Sequence, residues 1–421
     1  QVVVGFIETF FLELLPVDPT VHFLWPNGDH LTLSSHLPTL AREFDRVEPG
    51  SLTGLTAFLA DGEAKYQLAM RVVTQNSANM VRWLAGMGIG GLMRMSIWRS
   101  MHGELRRFFR SPRIVDALGS YAMYLGGSPR RLPGTFTILP YGELAYGLWL
   151  PRGGIYALVQ AIEDLARDLG VSIVTGTGVR RIVVRGGAVA GLEFSDGSHE
   201  DWQTVVSNVD VPTVWTELIE PARCPKSIAM TPGALTCYIA VRGAPPKLGH
   251  HTIFMPENAQ RCFDDLTAGR ETVDDLAFYA CLATATEPGL APQGHSTLFL
   301  MAPVPLADHL SDGGGDKWKA GLRQRMADRM ASHGLGVAPS DILFEECWGP
   351  GEWQRQCGLY RGSAFGAAHT LRQIGPWRLP NRDSTIAGLY YVGASTVPGT
   401  GLPMVVLGGR MTAERVASDV R

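Results

Sequence analysis

The sequence predicts a mixed α/β protein in which strands and helices alternate along the chain. Two observations carry this prediction: an amphipathic helix followed by short strands in residues 151–210, and a strand, a glycine-rich turn and a helix in residues 386–421. The chain has 421 residues, of which 45% are hydrophobic and 18% charged, with a net charge of −3. This balance is typical of a globular protein, and it provides no basic field that would attract nucleic acid.

Residues 6–65 are predicted to form short strands and loops. Residues 21–25 and 30–33 alternate in the way of two strands, and Asn27-Gly28 lies between them. Because Asn and Gly tolerate a positive φ, this pair favours the turn of a β-hairpin.

Residues 66–150 are predicted to be mainly helical. No acidic residue occurs from Tyr66 to Gly103, whereas Arg71, Arg82, Arg94 and Arg99 lie there among many large apolar side chains. Such a stretch is typical of a helix at a membrane surface, where apolar side chains enter the lipid and arginines reach the headgroups. An internal helical cap with a Met-rich core is the alternative, and the glycines of 86–91 are expected to weaken the helix.

Residues 151–210 are predicted to form one α/β unit. Apolar residues from Ile155 to Leu169 recur with a helical period, and Gly170 stands where a helix commonly ends. Strands are expected at 171–174, 179–185, 188–194 and 204–207. In residues 211–385, strands are expected at 235–241 and 297–301, and a helix at 318–333.

Residues 386–421 predict a site that binds an anion or an electron-rich ring. A strand at 389–392 leads into small residues, and a helix at 403–420 follows. The start of a helix presents free N–H groups and the positive end of its dipole, and Pro403 fits its first turn. A purely structural glycine-rich turn is the alternative.

This C-terminal segment, GLYYVGASTVPGTGLPMVVLGGR, resembles the signature of the phytoene desaturase family within the wider group of amine-oxidase-like flavoproteins. Ser395 and Met404 depart from it, because small residues are usual at both positions. Upstream segments continue the resemblance in order, so that it covers nearly the whole chain. They include LPVDP at 15–19, PRGG at 151–154, LFLMAPVP at 298–305 and GSAFG at 362–366.

The resemblance implies a Rossmann-like domain that binds FAD, a mixed-sheet substrate domain and a helical region that associates with membranes. The FAD-binding domain then comprises residues 1–5, 151–210 and 386–421, and the substrate domain comprises 6–65 and 211–385. The helical, membrane-associating region is 66–150.

The resemblance also assigns residues to the cofactor. Val179 matches a backbone contact to the adenine, and Gly393 and Ala394 match the ribityl and pyrophosphate part. The isoalloxazine ring is assigned to four consecutive residues: Gly401, Leu402, Pro403 and Met404. Arg152, Gly153 and Gly154 are expected near the cofactor, although a simple helix entry also explains the two glycines.

One expected motif is absent from the sequence. A dinucleotide-binding fold opens with a strand, G-x-G-x-x-G, a helix and a ribose-binding acid. Residues 1–5 resemble that strand and its first glycine, but Phe6 and its neighbours resemble sequence far downstream. Either a segment between Gly5 and Phe6 is lacking here, in which case FAD has no complete site in these residues, or the chain is truncated.

The family's activity is the FAD-dependent desaturation of a long polyene, such as phytoene or a related carotenoid precursor. Hydride leaves an allylic carbon for flavin N5, and a proton is then lost. No catalytic residue is assigned, because Glu143, His369 and Thr396 are each better explained as structural. A carotenoid isomerase or saturase, or a lipid carrier without catalysis, remains an alternative. The oligomeric state stays open.

The partners expected are therefore a hydrophobic polyene and a membrane surface, reached from the cytoplasm by a peripheral protein without a spanning segment. The six cysteines lack the spacing of metal sites and are expected to be reduced thiols. His250 and His251 are expected to face apart on a strand, so no metal site is predicted.

Overall fold

The structure is a computed structural model that describes residues 12–74, 80–223, 228–243, 248–271, 275–310 and 314–420. The predicted first strand at 1–5 and the junction between Gly5 and Phe6 lie outside these residues. The strands in chain order are β1 Leu14–Val17, β2 Val21–Leu24, β3 His30–Leu33, β4 Leu148–Pro151, β5 Val179–Arg185, β6 Ala188–Phe194, β7 His199–Glu200, β8 Val205–Ser207, β9 Gly233–Arg242, β10 His251–Phe254, β11 Phe278–Cys281, β12 His295–Val304, β13 Ile342–Trp348 and β14 Leu389–Tyr391.

Helices alternate with these strands, as the mixed α/β prediction requires. The longer ones are α1 Leu37–Val47, α2 Leu52–Val73, α3 Met80–Arg94, α4 Met101–Leu105, α5 Pro112–Gly119, α6 Ile138–Tyr146, α7 Ile155–Asp168, α8 Ala259–Thr267, α9 Asp316–Ser332, α10 Pro350–Cys357 and α11 Leu402–Asp419.

The largest sheet has seven strands in the order β13-β9-β12-β11-β10-β2-β3. All neighbours are antiparallel except β10 and β2. Successive side chains of a strand point to opposite faces, so Ile253 and Phe254 enter two different cores. Phe254 packs against α9 on one face, and Ile253 faces the helical region α1–α6 on the other.

Three small sheets lie outside the large one among the described residues, and in the first of them β1 pairs with β4 in an antiparallel arrangement. β5, β6 and β7 form an antiparallel meander, and β8 pairs with β14 in parallel. Parallel pairing aligns the ends of the two strands, so Ser207 and Tyr391 lie side by side. The chain that leaves β14 is thereby placed next to residues 208–210.

Several local predictions are confirmed. β2 and β3 form the predicted hairpin, with Gly28 at φ 87° in its turn. α7 ends where expected, and Gly170 follows at φ 84°. The weakening expected from the glycine cluster is also seen, because Gly88 breaks α3 at φ 64° and ψ 167°.

The strand predicted at 171–174 is wrong. These residues are irregular, and Val171 and Val174 are exposed. No strand among the described residues pairs with them. A stretch of apolar residues becomes a strand only when neighbouring backbone completes its hydrogen bonds.

The expectation of reduced thiols is wrong for two cysteines. Cys237 on β9 and Cys347 on β13 are cross-strand partners with Cα atoms 4.1 Å apart, and they form a disulfide. Their sequence separation of 110 residues gave no sign of the pairing, which only the register of β9 and β13 reveals. Cys262, Cys281 and Cys357 form no disulfide.

Candidate functional site

The loop between β14 and α11 contains residues 392–401 and is called the signature loop below. Its backbone follows a path that favours glycine, with φ values of 126° at Gly393, 141° at Gly399 and 103° at Gly401. No atom lies within 4 Å of a Cβ built on Gly401, and Leu402 and Pro403 are exposed. The start of α11 therefore borders open space that a ligand can enter.

A buried guanidinium holds the signature loop in shape. Arg378 donates to the carbonyl oxygens of Thr396 at 2.9 Å and Ala394 at 2.5 Å, and to those of Ala367 and Gln373 in the chain before it. Burial lowers the pKa of Arg378 to about 10, which leaves it charged at neutral pH. One side chain thus ties the first half of the loop to the segment that contains Ala367 and Gln373.

Ser395, one of the two departures from the family signature, has a structural role. Its hydroxyl donates to Asp210 at 2.5 Å and accepts from the backbone N–H of Ala367 at 2.9 Å. Asp210 also accepts from the N–H of Tyr360 at 3.2 Å. Burial raises the pKa of Asp210, although the hydrogen bond from Ser395 opposes the shift. Ser395 therefore fastens the loop at a position where glycine could not.

Met404, the other departure, lies in the first turn of α11. Its N–H donates to the carbonyl of Gly401 at 2.9 Å, and its side chain is half-buried. The side chain does not close the space beside Gly401. The cradle at the start of α11 is thus open despite the larger residue.

His369 lies against the opposite side of the signature loop. A Cβ on Gly399 would come within 2.4 Å of its Nε2 atom. The imidazole is buried, packs edge-on against Phe136 at 5.9 Å, and has no hydrogen-bond partner at Nδ1. Burial lowers its pKa, so the ring is neutral. Gly399 is the residue that allows this contact.

An apolar cavity lies between the large sheet and the helical region. Ile253, Tyr279 and Met301 form one row of its floor because they are paired in register on β10, β11 and β12. Tyr124 and Phe365 lie on the opposite side, with their rings 5.9 Å apart.

The cavity approaches the signature loop at Phe365. The next residue, Gly366, lies so close to Ser395 that a Cβ there would meet its Oγ at 2.5 Å. The N–H of Phe365 donates to the hydroxyl of Thr231 at 2.9 Å, which fixes this end of the cavity. The cavity wall at Phe365 is therefore one residue away from the contact between Gly366 and the signature loop.

Glu143 is a buried carboxyl group behind the cavity wall. It accepts a hydrogen bond from the hydroxyl of Tyr121, while its Oε1 atom has no partner of good geometry. Burial raises its pKa, with a smaller opposing effect from Tyr121. Its charge also contributes to the raised pKa of Tyr124, about 12, of which burial is the main cause.

This environment predicts opposite pH effects for two neutralising substitutions. Relative to the wild type, Glu143→Gln should gain stability as the pH rises above about 4.5, because the raised pKa makes ionisation of the native carboxyl costly. The matched control is Glu63→Gln. Hydrogen bonds from Tyr141 and Gln67 lower the pKa of Glu63, so ionisation of this carboxyl stabilises the folded wild type. Glu63→Gln should therefore lose stability relative to the wild type as the pH rises through the range below about 4.5. Urea denaturation from about pH 3 to 8 measures both, and parallel curves for the two variants would contradict the prediction.

The remaining predicted cofactor residues lie in separate places. Arg152 pairs with Glu13 at 2.6 Å, and the N–H of Gly153 donates to both carboxylate oxygens of Glu287, at 3.0 and 2.9 Å. A carboxylate therefore already occupies the turn before α7. Gly154 caps that helix at φ 85°.

Val179 begins β5 and is exposed, paired with Phe194 in the meander. Ala394 is half-buried in the signature loop. The cofactor contacts proposed for Val179, Arg152 and Gly153 stay predictions.

The described residues fit one end of FAD. The open start of α11 beside Gly401, at the positive end of the helix dipole, suits the electron-rich edge of a flavin. The pyrophosphate would need the glycine-rich turn, and the described residues contain no such turn. The fit therefore concerns the isoalloxazine end.

Sequence reasoning assigned no role to Arg378 or Asp210, which organise the loop. Arg378 lay within the predicted substrate domain, and Asp210 was the last residue of the predicted α/β unit. The only signal was a charge between the apolar residues Trp377 and Leu379.

Comparisons with known proteins agree with this geometry. The family described as flavin containing amine oxidoreductase matches residues 92–417. A zeta-carotene-forming phytoene desaturase of Myxococcus xanthus is 34% identical over 415 residues, 96% of this chain and 79% of the relative. An all-trans-zeta-carotene desaturase of the same organism is 30% identical over 420 residues, 97% of this chain and 79% of the relative.

Solved structures match at the level of the fold. An oxidoreductase from Methanosarcina mazei is 14% identical with a TM-score of 0.60, over 98% of this chain and 85% of that one. A redesigned putrescine oxidase is 12% identical with a TM-score of 0.57, over 100% of this chain and 85% of that one. The mixed α/β prediction is thereby confirmed.

Proposed function

The chain belongs to the flavin containing amine oxidoreductase family, and we propose that it is an FAD-dependent carotenoid desaturase. Its substrate would be a long polyene, such as phytoene or a related precursor, from which hydrogen is removed at neighbouring carbons. The observation that carries this proposal is the apolar cavity whose wall at Phe365 adjoins Gly366, the residue that packs against Ser395 of the signature loop. The names of the two Myxococcus xanthus relatives support it.

FAD, when bound, supplies a two-electron oxidant, which no amino-acid side chain provides. We propose that Gly401, Leu402, Pro403 and Met404 border its ring system and that Gly393 and Ala394 lie toward its ribityl chain. Arg378 would preserve this arrangement by holding the loop carbonyls in place.

The cavity residues would bind and orient the polyene. Ile253, Met301 and Phe365 present apolar surface, and the burial of this surface excludes water from the reacting carbons. Tyr124 remains protonated at neutral pH because burial raises its pKa to about 12. The acceptor of the proton that leaves the substrate is not assigned.

Co-expression with enzymes that make phytoene tests the function. A product with absorption at longer wavelength, together with purified protein that contains flavin, is the expected result. Unchanged phytoene with bound lipid and no flavin would indicate a carrier. Altered double-bond geometry without a longer chromophore would indicate an isomerase.

A variant that fills the cavity sharpens this test. Ala234→Trp places a large ring among the lining residues and should lower conversion at least about tenfold while flavin stays bound. Ala320→Trp on the exposed side of α9 is the matched control. Equal conversion by both variants would show that the polyene binds elsewhere.

We further propose that α3 and the turn after it contact a membrane surface, from which the polyene would enter. Ile89, Met93 and Trp98 are 82%, 70% and 73% exposed. Trp377, also exposed, belongs to a segment that packs against α3. The exposed Arg94 lies in the same helix and suits anionic headgroups. No helix among the described residues is long and apolar enough to span a bilayer.

Replacing Ile89, Met93 and Trp98 with Ser should weaken binding to liposomes that contain anionic lipid by more than about tenfold. Each of these side chains gains about 1.5–3 kcal/mol when fully buried in an apolar phase. The matched control is Leu343→Ser with Phe344→Ser, which removes exposed apolar residues from β13. Co-sedimentation measures both, and equal binding of the two variants would refute the proposed surface.

A further inference from the structure

Three metal-binding side chains meet on the cavity face of the large sheet. His250, His251 and Cys281 each offer one ligand atom, and these atoms lie within 4.8 Å of one another. The prediction that the two histidines face apart is wrong, because their ring centroids are only 4.3 Å apart. His250 precedes β10, so the alternation of side chains along a strand does not apply to it.

The register of two strands brings the cysteine to the histidines. His251 on β10 is the cross-strand partner of Cys281 on β11. The pair stands two residues beyond Ile253 and Tyr279, so it shares their face of the sheet. Both strands are antiparallel neighbours in a closely packed sheet, which fixes the position of the donors.

Both imidazoles are oriented by hydroxyl groups. The Nδ1 atom of His250 lies 2.6 Å from the hydroxyl of Thr286, and that of His251 lies 2.5 Å from the hydroxyl of Tyr279. Histidines that bind a metal commonly engage their other ring nitrogen in such a bond, which fixes the ring and its tautomer. Nε2 of each ring then remains for a ligand.

We propose that His250, His251 and Cys281 form a binding site for a thiophilic divalent cation of the zinc type. Two imidazoles and one thiolate make a donor set that zinc accepts, with a fourth position for water. The ion would fasten β10 to β11 at the edge of the cavity floor. This site is separate from the signature loop and does not depend on the proposed reaction.

Titration of the purified flavoprotein with Co²⁺ and Zn²⁺ tests the proposal. One Co²⁺ should bind per chain and give tetrahedral absorption bands to the red of oxidised flavin, and one Zn²⁺ should displace it. Elemental analysis after dialysis provides the stoichiometry, and X-ray absorption on the zinc form should detect one sulfur ligand. No stoichiometric binding, or a zinc ion without sulfur, would overturn the assignment.

Variants locate the ion. Cys281→Ser and His251→Gln should each weaken Co²⁺ binding by at least about 100-fold, and Thr286→Val, which removes only an orienting hydroxyl, by about tenfold. Cys357→Ser on α10 is the control for a thiol elsewhere and should bind normally. If a variant does not fold, X-ray absorption on the zinc form of the wild type still tests whether a sulfur atom binds the ion.

A second group of possible metal ligands requires a separate control variant. Cys237, Cys347 and Glu345 also lie close together, although the two cysteines form a disulfide. The double variant Cys237→Ala with Cys347→Ala should retain Co²⁺ binding. Loss of binding in this variant alone would place the ion on β9 and β13 and overturn the proposal.

Discussion

Arg378→Met is expected to destabilise the protein by about 3–5 kcal/mol, because it removes the buried charge that ties the signature loop to residues 367–373. Hydrogen bonds to Ala367, Gln373, Ala394 and Thr396 would be lost together. Each carbonyl would then stay buried without this donor, and a lost bond to a charged group costs about 1.5–3 kcal/mol. Since domains are stable by only about 5–15 kcal/mol, this is a large fraction.

Flavin content should fall in parallel, because Ala394 and Thr396 lie in the loop that would border the cofactor. Urea denaturation gives the stability, and visible absorbance of the purified protein gives the flavin bound per chain. Arg378→Lys should recover only part of either quantity, since an ammonium group cannot reproduce the planar fork of donors. Arg372→Met, at an exposed arginine six residues earlier, is the control. If Arg378→Met matched this control, the buried guanidinium would have no role in the loop.

Gly399→Ala is expected to lower desaturation by about 100-fold. The residue has φ 141°, which L side chains rarely adopt, and its Cβ would overlap Nε2 of His369 at 2.4 Å. His369 is buried beside Phe136 and cannot move aside without disturbing the helical region. The loop must therefore shift, and a displacement of about 1 Å at a reacting centre can cost 100-fold in rate.

Turnover of phytoene per bound flavin measures the effect. The double variant Gly399→Ala with His369→Ala removes the clash but keeps the strain of the positive φ, so it should recover part of the activity if the clash matters. Gly321→Ala, in an open position of α9, is the control and should be neutral or stabilising by about 0.5–1 kcal/mol. Full activity of Gly399→Ala would show that the loop tolerates displacement.

Much of the local structure could be predicted from the sequence because its causes are local. The hairpin at Asn27-Gly28, the end of α7 before Gly170 and the break in α3 at Gly88 each depend on the φ preference of one or two residues. The signature loop was located in the same way, through its glycines and the helix that follows. The assignment of its individual residues to parts of FAD stays a prediction.

The failures share one physical reason, which is that they depend on contacts between distant residues. Residues 171–174 have the composition of a strand but no neighbouring strand among the described residues. The pairing of Cys237 with Cys347 follows from the register of β9 and β13. The approach of Cys281 to His250 and His251 follows in the same way from β10 and β11.

The sequence by itself determined the alternation of helices and strands, the glycine-rich loop after the last strand and the family that this loop resembles. These are set by periodicity and by backbone preferences, which act over a few residues. Only the tertiary structure decided that Arg378 and Asp210 organise the loop, that Phe365 lines an apolar cavity, and that two histidines and a cysteine come close together. Hydrogen bonds and burial depend on distances in space. The hydrogen bond from Ser395 to Asp210, for example, joins residues that are far apart in the sequence.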